Sequence, residues 1–247
     1  MNITGNTVLI TGGTSGIGLG LALRLREAGN AVIIAGRRKE LLDAITAEHP
    51  DIAAVELDVT DPDSIDRARA SLVMTHPDLN ILVNNAGIQL RENPLEPLDL
   101  QVAEQQITTN LLGPIRMAYA FTPLLAGQTG AAIVNVTSAL AFVPFPATPT
   151  YSATKAALHS FTESQRIRLA GTGIQVVEIV PAGVRTDLLD QKDNPDAMPL
   201  DEFLDQIMTQ WRENPGAPEL VAEPARGIRG ATADGSYDDL LALFSTL

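Results

Sequence analysis

The chain has 247 residues, no cysteine and a formal net charge of −13. Its length suits one domain with a large core, and the acidity disfavours nucleic acid and anionic membranes as partners. Without cysteine, and with three scattered histidines (His49, His76 and His159), we expect no disulfide and no metal centre. Strand-like residues begin by Ile3 and the longest uncharged stretch contains polar residues, so we expect no leader, no membrane span and a cytoplasmic location.

Short apolar runs alternate with longer helical patterns along the chain. Strands are predicted at TVLIT, AVIIAG, AAVELDV, ILVNNAG, AAIVNVTS and IQVVEIVPAG, and helices at residues 18–28, 40–48, 62–75, 99–125 and 151–170. Runs that are apolar on both faces are typical of parallel strands covered by helices on either side. The sequence therefore predicts an α/β fold, a Rossmann-like doubly wound parallel sheet in a single domain of residues 1–247. Residues 188–218, rich in Pro, Asp, Asn and Met, are predicted to form a substrate loop or lid within it.

The sequence TGGTSGIG, at residues 11–18, follows the first predicted strand and precedes a helix. Backbone N–H groups and a helix N-terminus favour a pyrophosphate at such a position. Gly12 permits a tight turn, Gly16 lets a ligand approach the backbone, and Gly18 lets the helix pack on the strand. A purely structural turn is the alternative. The predicted ligand contacts of the loop are Gly12, Thr14, Ser15, Gly16, Ile17 and Gly18.

The second predicted strand ends at Gly36, where a dinucleotide-binding fold commonly has a carboxylate for the ribose 2′-hydroxyl. Arg37 and Arg38 follow it, and guanidinium groups suit an additional 2′-phosphate. The sequence therefore favours NADP(H) as cofactor. NAD(H) is the alternative if the two arginines are only a solvated helix N-terminus.

Tyr151 and Lys155, in the sequence YSATK, are four residues apart and share one face of a predicted helix. A phenol titrates near pH 10, and a neighbouring cation stabilises its anion, so we expect the pKa of Tyr151 to fall by on the order of one to three units. Tyr151 can then exchange a proton with an alcohol or carbonyl oxygen near neutral pH. Taken alone, such a pair is more often a contact on a helix surface.

Two further polar residues are candidates for the same site. Ser138 ends the run AAIVNVTS and is expected at the carboxyl edge of the sheet, where its hydroxyl can hold a substrate oxygen or cap a turn. Asn110 lies among apolar residues in EQQITTNLLG and needs a partner. A bent helix, a water link to Lys155 and a buried structural amide remain open for Asn110.

These motifs occur together in the order of a known family. TGGTSGIG, LDV at residues 57–59, NNAG at 84–87, Asn110, Ser138, YSATK and PAGVRT at 181–186 resemble the short-chain dehydrogenase/reductase family over about residues 3–190. The resemblance implies hydride transfer between a nicotinamide and a ketone or secondary alcohol. It implies Tyr151 as general acid or base, Ser138 as its polarising partner, Lys155 on the nicotinamide ribose, and Asn110 holding a water of a proton relay.

The resemblance also implies further cofactor contacts and an assembly. Pro181-Ala182 replaces the usual Pro-Gly, and residues 231–247 lack the usual strand and glycine-rich ending. The long helical patterns at 99–125 and 151–170 resemble the pair that forms the dimer bundle, so a homodimer is expected, with a tetramer open. A dinucleotide-sensing protein without catalysis is the alternative function. The implied cofactor contacts, beyond the glycine loop and the two arginines, are Asp58, Val59, Asn85, Ala86, Gly87, Tyr151, Lys155, Pro181, Val184 and Thr186.

The predicted substrate pocket is apolar. The segment ALAFVPFPATPT links Ser138 to Tyr151 and is expected to form one wall. Core or helix-face positions are an equal alternative for many of these residues. The candidate pocket residues are Phe142, Val143 and Phe145, together with Ile88, Leu90, Leu188, Met198, Phe203, Ile207, Met208 and Trp211.

Overall fold

The computed structural model describes residues 2–93, 95 and 100–246. Within them, seven strands form one parallel sheet. The strands are β1 (Thr7–Thr11), β2 (Ala31–Gly36), β3 (Ile52–Glu56), β4 (Ile81–Asn84), β5 (Ala132–Val136), β6 (Gln175–Val180) and β7 (Glu219–Val221). Their spatial order is β3-β2-β1-β4-β5-β6-β7, which is a doubly wound α/β sheet with its switch point between β1 and β4.

Helices connect the strands and flank the sheet. They are α1 (Gly16–Glu27), α2 (Lys39–Glu48), α3 (Pro62–Thr75), α4 (Gln101–Ile107), α5 (Gly113–Leu125), α6 (Pro149–Arg168), α7 (Leu200–Glu213), α8 (Ala225–Asp234) and α9 (Tyr237–Phe244). A π-helical turn at Thr108–Leu112 joins α4 to α5, and 3₁₀ turns occupy Ala139–Ala141 and Leu188–Asp193. In the part of the chain that the structure describes, no helix has both the length and the apolar character needed to cross a bilayer.

The core consists of two hydrophobic clusters, one on each face of the sheet. Alternate residues of each central strand enter opposite clusters: Ile10 packs in the first and Leu9 in the second. The first cluster also contains residues of α1, α2 and α7, and the second contains residues of α3 and α5. This packing explains why the strands are apolar on both faces in the sequence.

The structure confirms the predicted fold class and corrects three local expectations. Residues 188–218 are not all loop, because Leu200–Glu213 is α7, whose apolar face is buried against the sheet. The sheet has a seventh strand that the sequence did not predict, β7, which lies before residues 231–247. The predicted helix at 99–125 is interrupted by the π-helical turn, and its first residue, Asp99, lies outside the described residues.

The close packing of α1 on β1 depends on Gly18. A β-carbon at Gly18 would collide with the Gly12 carbonyl oxygen and the Asn85 side-chain amide. By contrast, a β-carbon at Gly227 of α8 would meet no atom within 4 Å. The two helical glycines therefore provide a matched pair for substitution.

We expect Gly18→Ala to lower the free energy of unfolding by about 1–3 kcal/mol, because backbone atoms rather than a flexible side chain must move. Gly227→Ala is expected to raise it by up to about 1 kcal/mol, because alanine favours the helix. Urea unfolding of both variants beside the unmodified protein measures the difference. Equal stability of the two variants would show that α1 does not need the close approach.

Candidate active site

A cavity of about 750 Å³ opens along the carboxyl edge of the sheet. Such an edge is where open α/β sheets bind ligands, because the loops after parallel strands converge there. Two of the predicted residues, Gly18 and Asn110, are not in its lining. The predicted residues that line it are Gly12, Thr14, Ser15, Gly16, Ile17, Arg37, Arg38, Asp58, Val59, Asn85, Ala86, Gly87, Ser138, Tyr151, Lys155, Pro181, Val184 and Thr186.

The glycine loop, residues 11–18, exposes backbone without side chains to the cavity at the N-terminus of α1. Gly12 and Gly16 have φ values of +65° and +53°, which L side chains rarely adopt. A β-carbon at Gly12 would lie 2.8 Å from the Ala86 Cα, so any side chain there would also collide with the backbone that follows β4. The Ser15 hydroxyl makes no capping hydrogen bond to α1. The loop therefore offers N–H groups, a helix N-terminus and a hydroxyl to an anionic ligand.

Arg37 and Arg38 lie beside this loop at the end of β2. Both side chains are exposed and line the cavity, and Arg38 Nη2 donates a hydrogen bond to Thr14 Oγ1 at 3.1 Å. A β-carbon at Gly36 would lie 3.0 Å from the Thr14 Cγ2 atom. The two guanidinium groups are thus placed next to the glycine loop.

Ser138, Tyr151 and Lys155 come together at the other end of the cavity. Ser138 follows β5, and its hydroxyl, which accepts a hydrogen bond from the Leu140 N–H at 3.1 Å, is close enough to the phenol to lower the pKa of Tyr151. Lys155 is one turn after Tyr151 on α6, and its Nζ lies 5.5 Å from the Tyr151 ring centroid. The same Nζ donates a hydrogen bond to the Val136 carbonyl oxygen at 2.8 Å. All three side chains are buried, with exposures of 6% or less.

The expected lowering of the Tyr151 pKa is wrong for this structure. Burial raises the pKa of the phenol to about 12, and the nearby Ser138 hydroxyl opposes that rise. Burial also lowers the pKa of Lys155 to about 8, against the nearby negative charge of Glu178. Desolvation penalises both charged forms, and here it outweighs the effect expected from an ammonium one turn away. Tyr151 is therefore a protonated phenol at neutral pH, and it can donate a proton from Oη.

Asn110 lies beneath the cavity in the π-helical turn and is fully buried. Its Oδ1 accepts from the Ile88 N–H and its Nδ2 donates to the Ile88 carbonyl, both at 2.8 Å. A β-carbon at Gly87 would lie 3.3 Å from Asn110 Oδ1 and 3.8 Å from Lys155 Nζ. The amide therefore positions the backbone after β4 beside Lys155, and its partner is a backbone segment that the sequence pattern did not indicate.

The apolar wall of the cavity differs from the expected one. Phe145, Ile88 and Leu188 line the cavity, whereas Val143 is in the core and Phe142 packs edge-on against His159. Leu140, from the segment predicted as one wall, also lines the cavity, whereas sequence reasoning missed Ile228 of α8 and Phe244 of α9. Only the tertiary fold brings these helices to Tyr151. The remaining candidates are outside the lining: Leu90, Met198, Phe203, Ile207, Met208 and Trp211, the last four buried on α7.

The sequence matches the short chain dehydrogenase family over residues 6–197. With the doubly wound sheet and the Ser138, Tyr151 and Lys155 cluster, this shows that the chain belongs to the short-chain dehydrogenase/reductase family of oxidoreductases. Among the residues that the structure describes, no cluster of three or more His, Asp or Glu side chains could hold a metal ion.

Three known proteins illustrate the similarity. The chain is 38% identical over 252 residues to the "Uncharacterized oxidoreductase DltE" of Bacillus subtilis (strain 168), covering 100% of this chain and 99% of that protein. It is 36% identical over 182 residues to a serine 3-dehydrogenase of Agrobacterium fabrum, covering 73% of each. A crystal structure of a short chain dehydrogenase from Burkholderia cenocepacia J2315 in complex with NADP is similar with a TM-score of 0.85 at 31% identity, covering 98% of this chain and 99% of that one.

Proposed function

We propose that this protein is an NADP(H)-dependent oxidoreductase for an apolar ketone or secondary alcohol. The observation that carries the proposal is one continuous cavity, which runs from a phosphate-binding loop with two arginines to a serine, tyrosine and lysine cluster. The Burkholderia cenocepacia relative was solved with NADP, which supports the same cofactor class here. A bound nicotinamide supplies or accepts the hydride, and the protein supplies orientation and the proton.

The residues present fit the dinucleotide. Gly12 and Gly16 have no side chain, so a pyrophosphate can approach the backbone at the N-terminus of α1. Arg37 and Arg38 are suited to a 2′-phosphate, and no carboxylate stands at Gly36 to favour a free 2′-hydroxyl. We assign the adenosine side to Asp58, Val59 and residues 85–87, and the nicotinamide end to Pro181, Val184 and Thr186.

The protein's own groups account for the proton transfer. In the reductive direction the substrate oxygen accepts hydrogen bonds from the Ser138 hydroxyl and from Tyr151 Oη, and Tyr151 gives its proton to that oxygen. Lys155, buried one turn away, supplies the charge that stabilises the phenolate left behind. We further propose that Lys155 holds the nicotinamide ribose and that Asn110, next to it, holds a water through which Tyr151 regains its proton.

The substrate class follows from the side chains at the far wall. Phe145 and Phe244 form an edge-to-face pair with ring centroids 6.3 Å apart, beside Leu140 and Ile228. Among the described lining residues, the cations are Arg37, Arg38 and Lys155, and all three have roles with the cofactor. A carboxylate or sulfonate on the substrate would therefore lack a partner of its own. These contacts favour an uncharged apolar carbonyl compound.

A homodimer is proposed as the working assembly. The α4 to α5 segment exposes apolar side chains, including Ile107 (41% exposed) and Tyr119 (75% exposed). Exposed apolar residues in a group are typical of association surfaces. The cytoplasmic location expected from the sequence remains a prediction.

Tyr151→Phe is expected to lower kcat for carbonyl reduction by about 10²–10⁴-fold, because the general acid is lost. The NADPH dissociation constant, measured by nicotinamide fluorescence, should change little. Turnover is followed by nicotinamide absorbance over a panel of ketones and aldehydes, and Tyr119→Phe is the matched control on an exposed phenol. Full activity of Tyr151→Phe would exclude the mechanism, and tight NADPH binding by the unmodified protein without turnover would indicate a dinucleotide sensor.

Arg37→Ala and Arg38→Ala are each expected to raise the dissociation constant of NADPH by about ten- to a hundredfold, the loss of a charged hydrogen bond to a phosphate. The NADH value should be almost unchanged, because NADH has no 2′-phosphate. Lys39→Ala removes a neighbouring cation that is paired with Asp43, outside the cavity, and serves as control. Equal weakening of both dinucleotides would assign the arginines to something other than cofactor choice.

Phe244→Ala is expected to reduce kcat/KM for bulky aromatic ketones by roughly tenfold or more, because an apolar contact of about 1.5–3 kcal/mol is removed. Small ketones should be affected much less. Leu243→Ala, at the neighbouring position of α9 with 54% exposure, is the control. A uniform loss for small and bulky ketones would show that Phe244 stabilises the fold rather than contacting the substrate.

A further inference from the structure

A buried carboxylate lies next to the active site and has no role in the mechanism above. Glu178 is in the middle of β6 and is fully buried. Its neighbours in register are Asn135 of β5 and Glu219 of β7. Because a carboxylate is rarely fully buried without partners, the contacts of Glu178 indicate the role of its charge.

Glu178 is held by two side chains. The Thr137 hydroxyl donates a hydrogen bond to Oε1 at 2.6 Å. The His159 ring is bound through Nδ1, which lies 2.8 Å from Oε2 and 3.1 Å from Oε1. The side chain of His159 is 17% exposed and that of Glu178 is 0% exposed. Glu178 and His159 therefore form a hydrogen-bonded pair that is almost completely shielded from solvent and joins the sheet to α6.

Each partner of Glu178 is adjacent to a catalytic group. Thr137 is flanked by Val136, whose carbonyl accepts the Lys155 hydrogen bond, and by Ser138. His159 is four residues after Lys155, on the same side of α6. The carboxylate therefore links the end of β5 that carries Ser138 to the helix that carries Tyr151 and Lys155.

The charge of Glu178 also acts on both bases of α6. It opposes the burial that lowers the pKa of Lys155 to about 8, and its hydrogen bond raises the pKa of His159. The other charged groups that act on His159 are Glu163 of α6, 3.7 Å from Nε2, and Arg229 of α8, which is itself paired with Glu219 of β7.

We propose that Glu178 is a positioning residue of the active site. It fixes the Ser138 end of β5 through Thr137, and its negative charge favours the ammonium form of Lys155. His159 is the counter-ion of Glu178. The catalytic consequence rests on the proposed function, because Lys155 must be charged to stabilise the Tyr151 phenolate. The structural and electrostatic part concerns this chain alone and is testable without a cofactor.

The direct test is a ¹³C NMR titration of Lys155 in the ligand-free protein. The chain has three lysines, and the side chains of Lys39 and Lys192 are 67% and 74% exposed, so they serve as internal references. Glu178→Gln keeps an oxygen for the Thr137 hydroxyl and removes the charge. We expect the Lys155 midpoint to fall by roughly half a pH unit or more. An unchanged midpoint in the folded variant would overturn the electrostatic role.

His159→Asn is expected to shift the Lys155 midpoint in the opposite direction. This variant keeps the proposal testable if Glu178→Gln does not fold. Asparagine can donate from the position of Nδ1 but carries no charge, so the Lys155 midpoint is expected to rise. A midpoint that stays or falls contradicts the assignment of His159 as counter-ion. Glu163→Gln removes a carboxylate that contacts His159 from the solvent side, with 54% side-chain exposure, and should leave Lys155 unchanged.

The positioning part is tested by a double-mutant cycle on kcat. Thr137→Val is expected to lower kcat by about tenfold, the equivalent of one hydrogen bond, and Thr137→Ser to recover most of it. In the Glu178→Gln background, Thr137→Val should cost much less, because the two side chains act through one contact. If the kcat losses of the two single variants simply multiply in the double variant, the proposed link between Thr137 and Glu178 is wrong. A protein that reduces no carbonyl compound would instead contradict the proposed function, while the Lys155 titration would still be interpretable.

Discussion

Lys155 is only 4% exposed, and the other polar groups of the site surround its ammonium group. Its Nζ donates a hydrogen bond to the Val136 carbonyl oxygen at the end of β5, which ties α6 to the sheet two residues before Ser138. Desolvation opposes the charge, and the Glu178 carboxylate opposes the desolvation. Tyr151 lies one turn earlier on the same helix, so the direction of α6 on the sheet sets the position of the phenol relative to Ser138.

The opposite end of the cavity depends on backbone rather than side chains. Gly12 and Gly16 take conformations that L residues avoid, and Gly18 allows α1 to approach the loop. This arrangement is possible because parallel strands end together at one edge, which brings the loops after β1, β4, β5 and β6 to one cavity. Both ends of the cavity thus follow from the common direction of the strands in one sheet.

The residues that line the cavity come from both inside and outside the range of the family match. The family match covers residues 6–197, which include the glycine loop, Ser138, Tyr151 and Lys155. The apolar wall also uses Ile228 and Phe244, which lie beyond that match. Helices α8 and α9 therefore contribute to the cavity from a part of the chain that the family match does not cover.

The sequence by itself determined the alternation of strands and helices, the position of the glycine loop and the Tyr151 and Lys155 pair, because each is a local pattern of period or spacing. It did not determine that residues 200–213 form a helix, that Phe244 reaches the cavity or that Glu178 meets Thr137 and His159. These depend on contacts between distant segments. It also misjudged the Tyr151 pKa, because spacing indicates a neighbouring charge, whereas the depth of burial, which here has the larger effect, is decided only when the helices pack on the sheet.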